Sequence, residues 1–256
     1  MMEKIITLIS IFLIVISCSK DDDLLNDNPI VMLVFCQASL DNPIRIVENE
    51  YDNDNLIKQT TIQNGEVQSE TTYEYNSENQ IISETYLTGW QKTEMTYVYN
   101  KDKQLINILY RFTDYDTDGK ISNTREYEAP REYDNNKLVK EWEFWGGFNT
   151  YEYIGNKVVT KIDHAKNGEK HHITTYKYSG NLLVEEKKET RAGSLMYLKT
   201  YKYDSQNRLV QIKDGENIIE ENDYIDNKLI EKRTYYFGID PGYDICNGNY
   251  IIRYKY

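Results

Sequence analysis

The stretch Thr200-Tyr201-Lys202-Tyr203-Asp204-Ser205-Gln206-Asn207-Arg208-Leu209-Val210 decides the fold of this chain. Tyr201 and Tyr203 stand two residues apart, so in a β-strand they share one face. Asp204 and Asn207 favour a tight polar turn, because Asp and Asn side chains bond the local backbone and tolerate left-handed geometry. An apolar run restarts directly after the turn. The stretch therefore predicts the end of one strand, a turn and the start of the next strand.

Near-copies of this stretch recur along most of the chain. Each copy has a tyrosine just before a polar turn and an apolar pair just after it. The tyrosines are Tyr51, Tyr75, Tyr99, Tyr133, Tyr153, Tyr178, Tyr203 and Tyr224, spaced 20 to 34 residues apart. A period in the twenties is typical of repeat proteins, in which each unit packs on its neighbours.

A second turn signal lies between the copies. It is found at Asn64-Gly65, Asp118-Gly119, Asn167-Gly168 and Asp214-Gly215, and such dipeptides are favoured two-residue hairpin loops. Each repeat then consists of two strands and two turns. Because open sheets rarely exceed about ten strands without curling, we predict an all-β fold: a long antiparallel meander of repeated β-hairpins, about 16–18 strands, curled into a trough or partial barrel.

The repeat is interrupted in a few places. Residues 30–35 form a continuous apolar run that predicts the first strand. Pro130 predicts an irregular loop or bulge near 128–132, because proline is confined to edges, bulges and strand ends. Residues 237–249 are rich in glycine and predict a long loop, and residues 249–256 alternate again as a closing strand.

The composition bounds the class of protein. The chain has 256 residues, 30 basic and 42 acidic, with a net charge of −12. One domain is the default at this length. An acidic chain lacks the basic footprint of a nucleic-acid binder, so no nucleic-acid partner is expected.

The N-terminal segment predicts a lipoprotein signal peptide over residues 1–17. Its apolar run, residues 5–16, is too short to span a bilayer. The sequence Val15-Ile16-Ser17-Cys18 resembles the bacterial lipobox, in which a small residue precedes the cysteine that becomes lipidated. We therefore predict lipid attachment at Cys18, and with it a membrane partner. The alternative is an ordinary secretory signal with an incidental cysteine.

Residues 18–29 predict an acidic flexible tether, followed by a single repeat domain over residues 30–256. The run Ser19-Lys20-Asp21-Asp22-Asp23 resembles the export signal of Bacteroidota lipoproteins that reach the cell surface. The resemblance implies an outer-membrane lipoprotein exposed at the cell surface. The alternative is a plain solvated linker on a protein that faces the periplasm.

The pattern Tyr-x-Tyr-Asp-x-x-Asn-Arg-Leu-Val at 201–210, followed by Asp214-Gly215, resembles the YD repeat of Rhs-type proteins. The resemblance covers about residues 45–235. In large Rhs and toxin-complex proteins such repeats form a β-sheet strip that spirals into a hollow shell around a toxin. This chain is far shorter and has no recognisable toxin domain after the repeats. Short YD-repeat lipoproteins of Bacteroidota are the nearer likeness, which implies no established activity.

The densest aromatic cluster consists of Trp142, Phe144, Trp145 and Phe148. Alternation predicts that Trp142 and Phe144 share a face, and Gly146-Gly147 predicts a turn. Two interpretations stand. The cluster is a ligand surface that stacks on sugar rings, or it lines the inside of the curled sheet.

Two other groups of residues resemble metal sites. His164 and His171 flank Asn167-Gly168; a two-residue hairpin would pair them as half of a metal site, and would pair His172 with Asp163. Asp114-Tyr-Asp116-Thr-Asp118-Gly119 matches the first half of a calcium loop, but Arg125 stands where a glutamate is needed. In both cases a solvated pair or a plain turn is the simpler reading, so we predict no metal and no cofactor.

Cys36 and Cys246 remain once Cys18 is set aside. An even pair in an oxidising compartment suggests a disulfide. The two cysteines lie near opposite ends of the repeat array, however, and an open strip would hold them tens of ångströms apart on the 4.8 Å strand spacing. Disulfide and open strip are therefore alternatives.

The sequence contains no nucleophile elbow, glycine-rich phosphate loop, zinc spacing or triad-like arrangement. We therefore predict a protein that is not an enzyme: a lipid-anchored, non-catalytic cell-envelope β-repeat protein that presents a surface for protein interaction. The alternative is a surface glycan-binding lipoprotein that uses an aromatic face.

Overall fold

The structure is a computed structural model that describes residues 28–36, 40–235 and 249–256. Within these ranges it contains nineteen strands and no helix, so the all-β prediction is confirmed. The strands are β1 (Val31–Cys36), β2 (Arg45–Asp52), β3 (Asn55–Gln63), β4 (Glu66–Tyr75), β5 (Ile81–Thr88), β6 (Gln91–Tyr99), β7 (Leu105–Tyr115), β8 (Ile121–Glu128), β9 (Arg131–Asp134), β10 (Lys137–Trp142), β11 (Phe148–Ile154), β12 (Lys157–His164), β13 (Lys170–Ser179), β14 (Leu182–Thr190), β15 (Leu195–Tyr203), β16 (Leu209–Asp214), β17 (Asn217–Ile225), β18 (Lys228–Thr234) and β19 (Tyr250–Lys255). A helix long and apolar enough to cross a membrane is not found in the described ranges.

The strands form one antiparallel sheet. Nearly every strand pairs with the next strand along the chain, and β1 pairs with both β2 and β19. No ladder joins β8 to β9 in the described ranges, so the sheet is open there. Its spatial order runs from β8 back through β7 to β1, then from β19 back through β18 to β9. The predicted long meander is confirmed.

The two ends of the open sheet lie close together. Ile108 and Ala129 exchange backbone hydrogen bonds of 3.2 and 2.9 Å, which prolongs the pairing of β7 with β8. The Tyr133 hydroxyl then donates to the Leu105 carbonyl at 2.9 Å, so β9 runs beside the start of β7. Pro130 lies between these contacts and has no N–H to give a ladder. It divides one long strand into β8 and β9, as the expected irregularity near 128–132, and the sheet curls back on itself.

The first and last described strands pair with each other inside the sheet rather than lying at its edges. Cys36 in β1 lies opposite Tyr250 in β19. Because the opening lies between β8 and β9, the first and last described strands are neighbours even though the sheet is open. Cys36 is disulfide-bonded. The suggested pairing of Cys36 with Cys246 stays a prediction, since Cys246 lies outside the described residues.

The turn in the opening stretch is explained by three side chains. The Asp204 Oδ1 atom accepts hydrogen bonds from the backbone N–H groups of Gln206 and Arg208, at 2.8 and 3.0 Å. The Arg208 Nε atom donates to Asp204 Oδ2 at 2.7 Å. Asn207 has a φ of 62°, which asparagine tolerates better than most residues. The loop is a three-residue turn with a left-handed third residue.

The same three-residue turn occurs elsewhere, and it corrects part of the turn prediction. Asn64-Gly65 is a two-residue loop between paired Gln63 and Glu66, as predicted. Gly119 and Gly168, in contrast, are the third residues of three-residue loops, with φ values of 75° and 86°. The turn predicted at Asp214-Gly215 begins one residue later, because Asp214 pairs with Asn217 and the loop is Gly215-Glu216.

Each end of the sheet carries its own set of turns. We call the end with the loops after Asp52, Asn76, Asn100, Asp134, Ile154, Ser179, Asp204 and Ile225 the YD-turn end. The described chain begins there: the Asn28 side chain donates to the Asp54 carbonyl at 3.4 Å, and the Asn49 side chain donates to the Pro29 carbonyl at 2.9 Å. The predicted signal peptide (1–17), Cys18 and most of the predicted tether lie outside the described residues, as does most of the 237–249 loop.

Candidate functional site

One face of the sheet is lined by the repeat tyrosines. The Tyr51 hydroxyl donates to the Pro29 carbonyl at 3.4 Å. The hydroxyl of each other repeat tyrosine donates to a backbone carbonyl on a neighbouring strand, near the point where that strand leaves a YD-type turn. The pairs are Tyr75–Leu56, Tyr99–Ile81, Tyr133–Leu105, Tyr153–Leu138, Tyr178–Val158, Tyr203–Leu183 and Tyr224–Leu209, at 2.8 to 3.0 Å. Tyr256 continues the series at 2.6 Å on Leu229, although the repeat count had ended at Tyr224. We call this the tyrosine face.

A second row of hydroxyls on the tyrosine face binds glutamates. Tyr97 donates to Glu84 at 2.9 Å, and Tyr201 donates to Glu186 at 2.6 Å. Tyr197 also donates to Glu186, and Tyr151 donates to Glu141. Each glutamate therefore serves as a hydrogen-bond acceptor between two strands.

Sequence reasoning had singled out none of these glutamates, although a signal exists. In each repeat the second residue after the apolar pair faces inward with the tyrosines. That position is Gln59, Glu84, Ile108, Glu141, Lys161, Glu186, Ile212 and Lys232. Polar residues at a recurrent inward position mark a face where hydrogen bonds replace an apolar core.

Burial raises the pKa values of glutamate and tyrosine side chains on this face. Burial raises the pKa of Glu84, although the hydrogen bond from Tyr97 opposes the shift. Burial also raises the pKa of Tyr73 to about 12, with a further contribution from the charge of Glu84. The pKa of Tyr97 is raised by burial and by Glu84 as well. The hydroxyls therefore stay protonated and remain donors near neutral pH.

The most enclosed polar group on this face is Asn149, which is 2% exposed. Its amide donates to Glu143 at 2.9 Å and to Glu141 at 3.4 Å. The other oxygen of Glu141 lies 3.3 Å from Arg131 Nε. Burial raises the pKa of Glu143, and the Asn149 hydrogen bond opposes this. Both oxygens of Glu141 are thus occupied by protein donors.

Asp163 forms a second polar group beside it. Lys188 Nζ lies 2.8 Å from Asp163 Oδ2, His172 Nδ1 lies 3.5 Å from the same oxygen, and Lys161 Nζ lies 3.7 Å from Oδ1. Burial favours a higher pKa for Asp163, but the Lys188 hydrogen bond and the nearby positive charges outweigh it and hold the pKa below its usual value. The predicted pairing of His172 with Asp163 is confirmed.

The predicted pairing of His164 with His171 is wrong. His164 lies opposite Lys170, because the three-residue loop 166–168 shifts the register. Its ring instead stacks on Phe148, with centroids 4.4 Å apart and planes 10° apart, and its Nε2 atom lies 3.0 Å from Thr150 Oγ1. In the part of the chain that the structure describes, no three His, Cys, Asp or Glu side chains come together as a metal-ligand set.

The candidate calcium loop, residues 114–119, forms an ordinary hairpin turn. Asp116 Oδ1 accepts backbone hydrogen bonds from Asp118 and Lys120, both at 2.9 Å. Asp114 lies 2.8 Å from Arg125 and accepts a 2.9 Å hydrogen bond from Gln91. The first two carboxylates of the motif are therefore committed to protein donors.

The aromatic cluster divides into two groups. Trp142 and Phe148 are paired, with centroids 6.1 Å apart, and Lys140 Nζ lies 3.9 Å from the Trp142 centroid and 4.3 Å from that of Phe148. Phe144 instead packs against Tyr110, Phe112 and Tyr127, at 5.3 to 6.0 Å. The prediction that Trp142 and Phe144 share a face is wrong, because β10 ends at Trp142 and alternation stops there.

Trp145 is the member of the cluster that is open to solvent. It is 59% exposed and makes an edge contact with Phe144 at 4.7 Å. It lies in the Glu143–Gly147 turn, so the turn predicted at Gly146-Gly147 is present. Trp90, which sequence reasoning did not single out, is 55% exposed in the turn between β5 and β6. Both tryptophans lie opposite the YD-turn end.

The comparisons with known proteins give remote likenesses. No protein-family model and no curated protein matches the chain. Among solved structures it is similar to a porin-like protein from Bacteroides uniformis, with a TM-score of 0.46 and 12% identity over 68% of this chain and 93% of that chain. It is also similar to a chain of the TcdB2-TccC3-TEV structure, with a TM-score of 0.29 and 12% identity over 75% of this chain and 12% of that chain. The Photorhabdus luminescens Tc holotoxin pore gives a TM-score of 0.29 and 11% identity over the same shares.

Proposed function

We propose that this protein is a lipid-anchored, non-catalytic β-repeat protein of the YD-repeat type, which presents a surface for protein interaction at the outer membrane, exposed to the cell exterior. The observation that carries the non-catalytic part is the state of the inner carboxylates. Glu84, Glu141 and Glu186 each accept hydrogen bonds from tyrosines of neighbouring strands. Carboxylates that accept such hydrogen bonds stabilise the sheet and are not available to act on a substrate.

The anchor rests on the lipobox-like sequence before Cys18. It is supported by the place where the described chain begins, since Asn28 and Pro29 lie at the YD-turn end. A tether joined there would put that end nearest the membrane and leave the opposite end free for a partner.

Fractionation tests the anchor. With Cys18→Ala we expect the protein to leave the membrane fraction, and protease treatment of intact cells should digest the wild-type protein. A Cys18→Ala protein that stays in the membrane fraction contradicts the anchor, and resistance to the protease contradicts surface display.

An activity screen tests the absence of catalysis. We expect no turnover by the purified protein on ester, peptide or glycoside substrates. A hydrolytic activity that Glu141→Gln abolishes, while the exposed control Glu74→Gln retains it, would contradict the proposal.

The second candidate function is glycan binding, favoured by the exposure of Trp145. A solvent-exposed indole offers a flat apolar face beside polar groups. The rings of Trp142 and Phe148, in contrast, are already in contact with Lys140, and Phe148 also stacks on His164. If the protein binds glycans, we expect Trp145→Ala to abolish signals on a glycan array and Tyr86→Ala to preserve them. An array without any signal removes this candidate.

A further inference from the structure

Among the described residues, the β8 edge of the sheet has no backbone partner. β8 pairs with β7 along its length, and no ladder on its other side is found in the described ranges. All eight residues of β8 are exposed. The neighbouring strand β10 ends at Trp142, whose N–H donates to the Pro130 carbonyl at 2.9 Å. The unpaired edge therefore begins where β10 stops.

The hydrogen-bonding groups on this edge can be assigned from the register. Ile108 and Ala129 exchange both backbone bonds, so every second pair along the ladder does the same. Asn123, Arg125 and Tyr127 thus point their N–H and C=O groups toward β7. The N–H and C=O groups of Thr124, Glu126 and Glu128 point away from it, toward the open edge, and the alternation ends at Ser122, where the register shifts. Such a row is a template for an added strand.

An apolar wall lies beside this edge. Tyr127 is 38% exposed and its ring lies 6.0 Å from that of Phe144. Phe144 in turn contacts the exposed Trp145. An added strand would alternate its side chains, so every second residue would meet this wall.

The other face of the edge is acidic. Glu126 and Glu128 stand two residues apart in β8 and so share a face. The Glu126 side chain is 72% exposed, with Arg111 at 3.5 Å, and Glu128 accepts a 3.3 Å hydrogen bond from Asn107. A second copy of this chain would bring another net charge of −12 to the edge, whereas a basic strand would be attracted.

We infer that the open edge of β8 is a docking site for an extended strand of a partner protein, with lysine or arginine on one face and apolar residues on the other. This inference rests on the proposed function as a protein-interaction surface and locates that surface. The partner strand would complete the ladder at Thr124, Glu126 and Glu128.

A synthetic peptide tests the site directly. The probe is a fluorescein-labelled seven-residue peptide of alternating lysine and valine, and a glutamate–valine peptide is the control. Thr124→Pro removes an N–H that points to the open edge and leaves the bonds to β7 in place. We expect it to weaken binding by at least about tenfold, whereas Thr124→Ala, which keeps the N–H, should bind like the wild type. Equal affinity of the proline variant and the wild type would overturn the inference.

Hydrogen exchange gives a second readout. On addition of the lysine–valine peptide, the amides of Thr124, Glu126 and Glu128 should become protected, while those of Asn123, Arg125 and Tyr127 are protected already. Protection without this alternation argues against strand addition. If sedimentation shows a dimer that Thr124→Pro dissociates, the occupant is a second copy of the chain and the inference fails.

Cross-linking in cells separates this inference from the proposed function. A photoreactive residue at Thr124 should capture a protein, with peptide competition confirming the site. Capture from another exposed position, such as Glu74, with none at Thr124 would overturn the inference and leave the proposed function standing. Peptide binding at the edge with no capture from any surface position would instead count against the proposed function.

Discussion

At the scale of residues, the tyrosine hydroxyl is the group that recurs. It crosses from one strand to the carbonyl of the neighbour seven times at 2.8 to 3.0 Å. Few apolar side chains in the described ranges are fully buried, among them Phe35, Ile108 and Ile251. The contacts of one residue type therefore replace much of an ordinary core.

Removing one such hydroxyl tests its contribution. Tyr203→Phe deletes the 2.9 Å hydrogen bond to the Leu183 carbonyl. We expect a loss of about 0.5–1.5 kcal/mol in the free energy of unfolding, measured with urea. Tyr86→Phe is the control, since its hydroxyl has no partner among the described residues. An equal loss in both variants would show that the hydroxyl contact contributes nothing of its own.

The half-buried Glu84 gives a prediction for the pH dependence of stability. Because the pKa of Glu84 is raised in the folded protein, its ionised form is less stable there than in the unfolded chain. Folding stability should therefore fall as pH rises from the ordinary glutamate pKa, about 4.3, through the folded pKa. Glu84→Gln keeps an acceptor for Tyr97 and removes this loss, so we expect it to raise the urea unfolding free energy at neutral pH and to flatten its pH dependence. A lower stability at neutral pH, with the exposed Glu74→Gln unchanged, would contradict this account.

The sequence predicts some of the important side chains but not all of their contacts. The repeat tyrosines are recognisable because they recur before polar turns, yet their hydrogen bonds depend on which carbonyl lies opposite. Tyr256 was missed because the repeat tyrosines were recognised by the turn after each of them. His164 was misplaced because one extra loop residue changes which side chains face each other.

At the scale of elements, the hairpin loops decide register and direction. The turn that joins β10 and β11 packs closely against the neighbouring strand β12. A Cβ atom on Gly147 would lie 2.9 Å from the His164 carbonyl oxygen, which belongs to the backbone of β12 and cannot rotate away. The turn carrying Trp145 is thus fitted closely to a neighbouring strand.

Two glycines allow a matched test of this fit. Gly147→Ala should lower the unfolding free energy by about 1–3 kcal/mol, because the backbone must shift to accept the methyl group. Gly89→Ala should have little effect, since a Cβ atom there meets nothing within 4 Å. Thermal unfolding of both variants measures the difference. If Gly147→Ala melts like Gly89→Ala, the turn is more adaptable than its geometry indicates.

At the scale of the whole molecule, β1 joins the two halves of the sheet. It pairs over six residues with β19 and over four with β2. The sequence indicated a repeated sheet that curls, but not where the sheet would open. The position of the opening depends on Pro130, which separates β8 from β9, and these two strands pair with different partners. It also depends on the pairing of the last strand, β19, with the first strand, β1.

A core substitution in β1 tests this role. Phe35 is 5% exposed, with the Arg253 guanidinium 5.0 Å from its ring centroid. Phe35→Ala should cost about 3–5 kcal/mol and should speed amide exchange in β2 and β19 together. Ile30→Ala, at a residue that is 56% exposed, should do neither. Faster exchange confined to β1 would show that the two halves do not depend on it.

The position of β1 also has a mechanical consequence. A pull on the chain at Asn28 acts along the axis of β1, which is held on both sides by antiparallel ladders. The hydrogen bonds of both ladders share such a load at once, which is a shear geometry. A strand at the edge of a sheet can instead lose its hydrogen bonds one after another. If a tether connects Asn28 to a membrane, tension from a partner bound at β8 would be carried, on the membrane side, by the strand that has two neighbours.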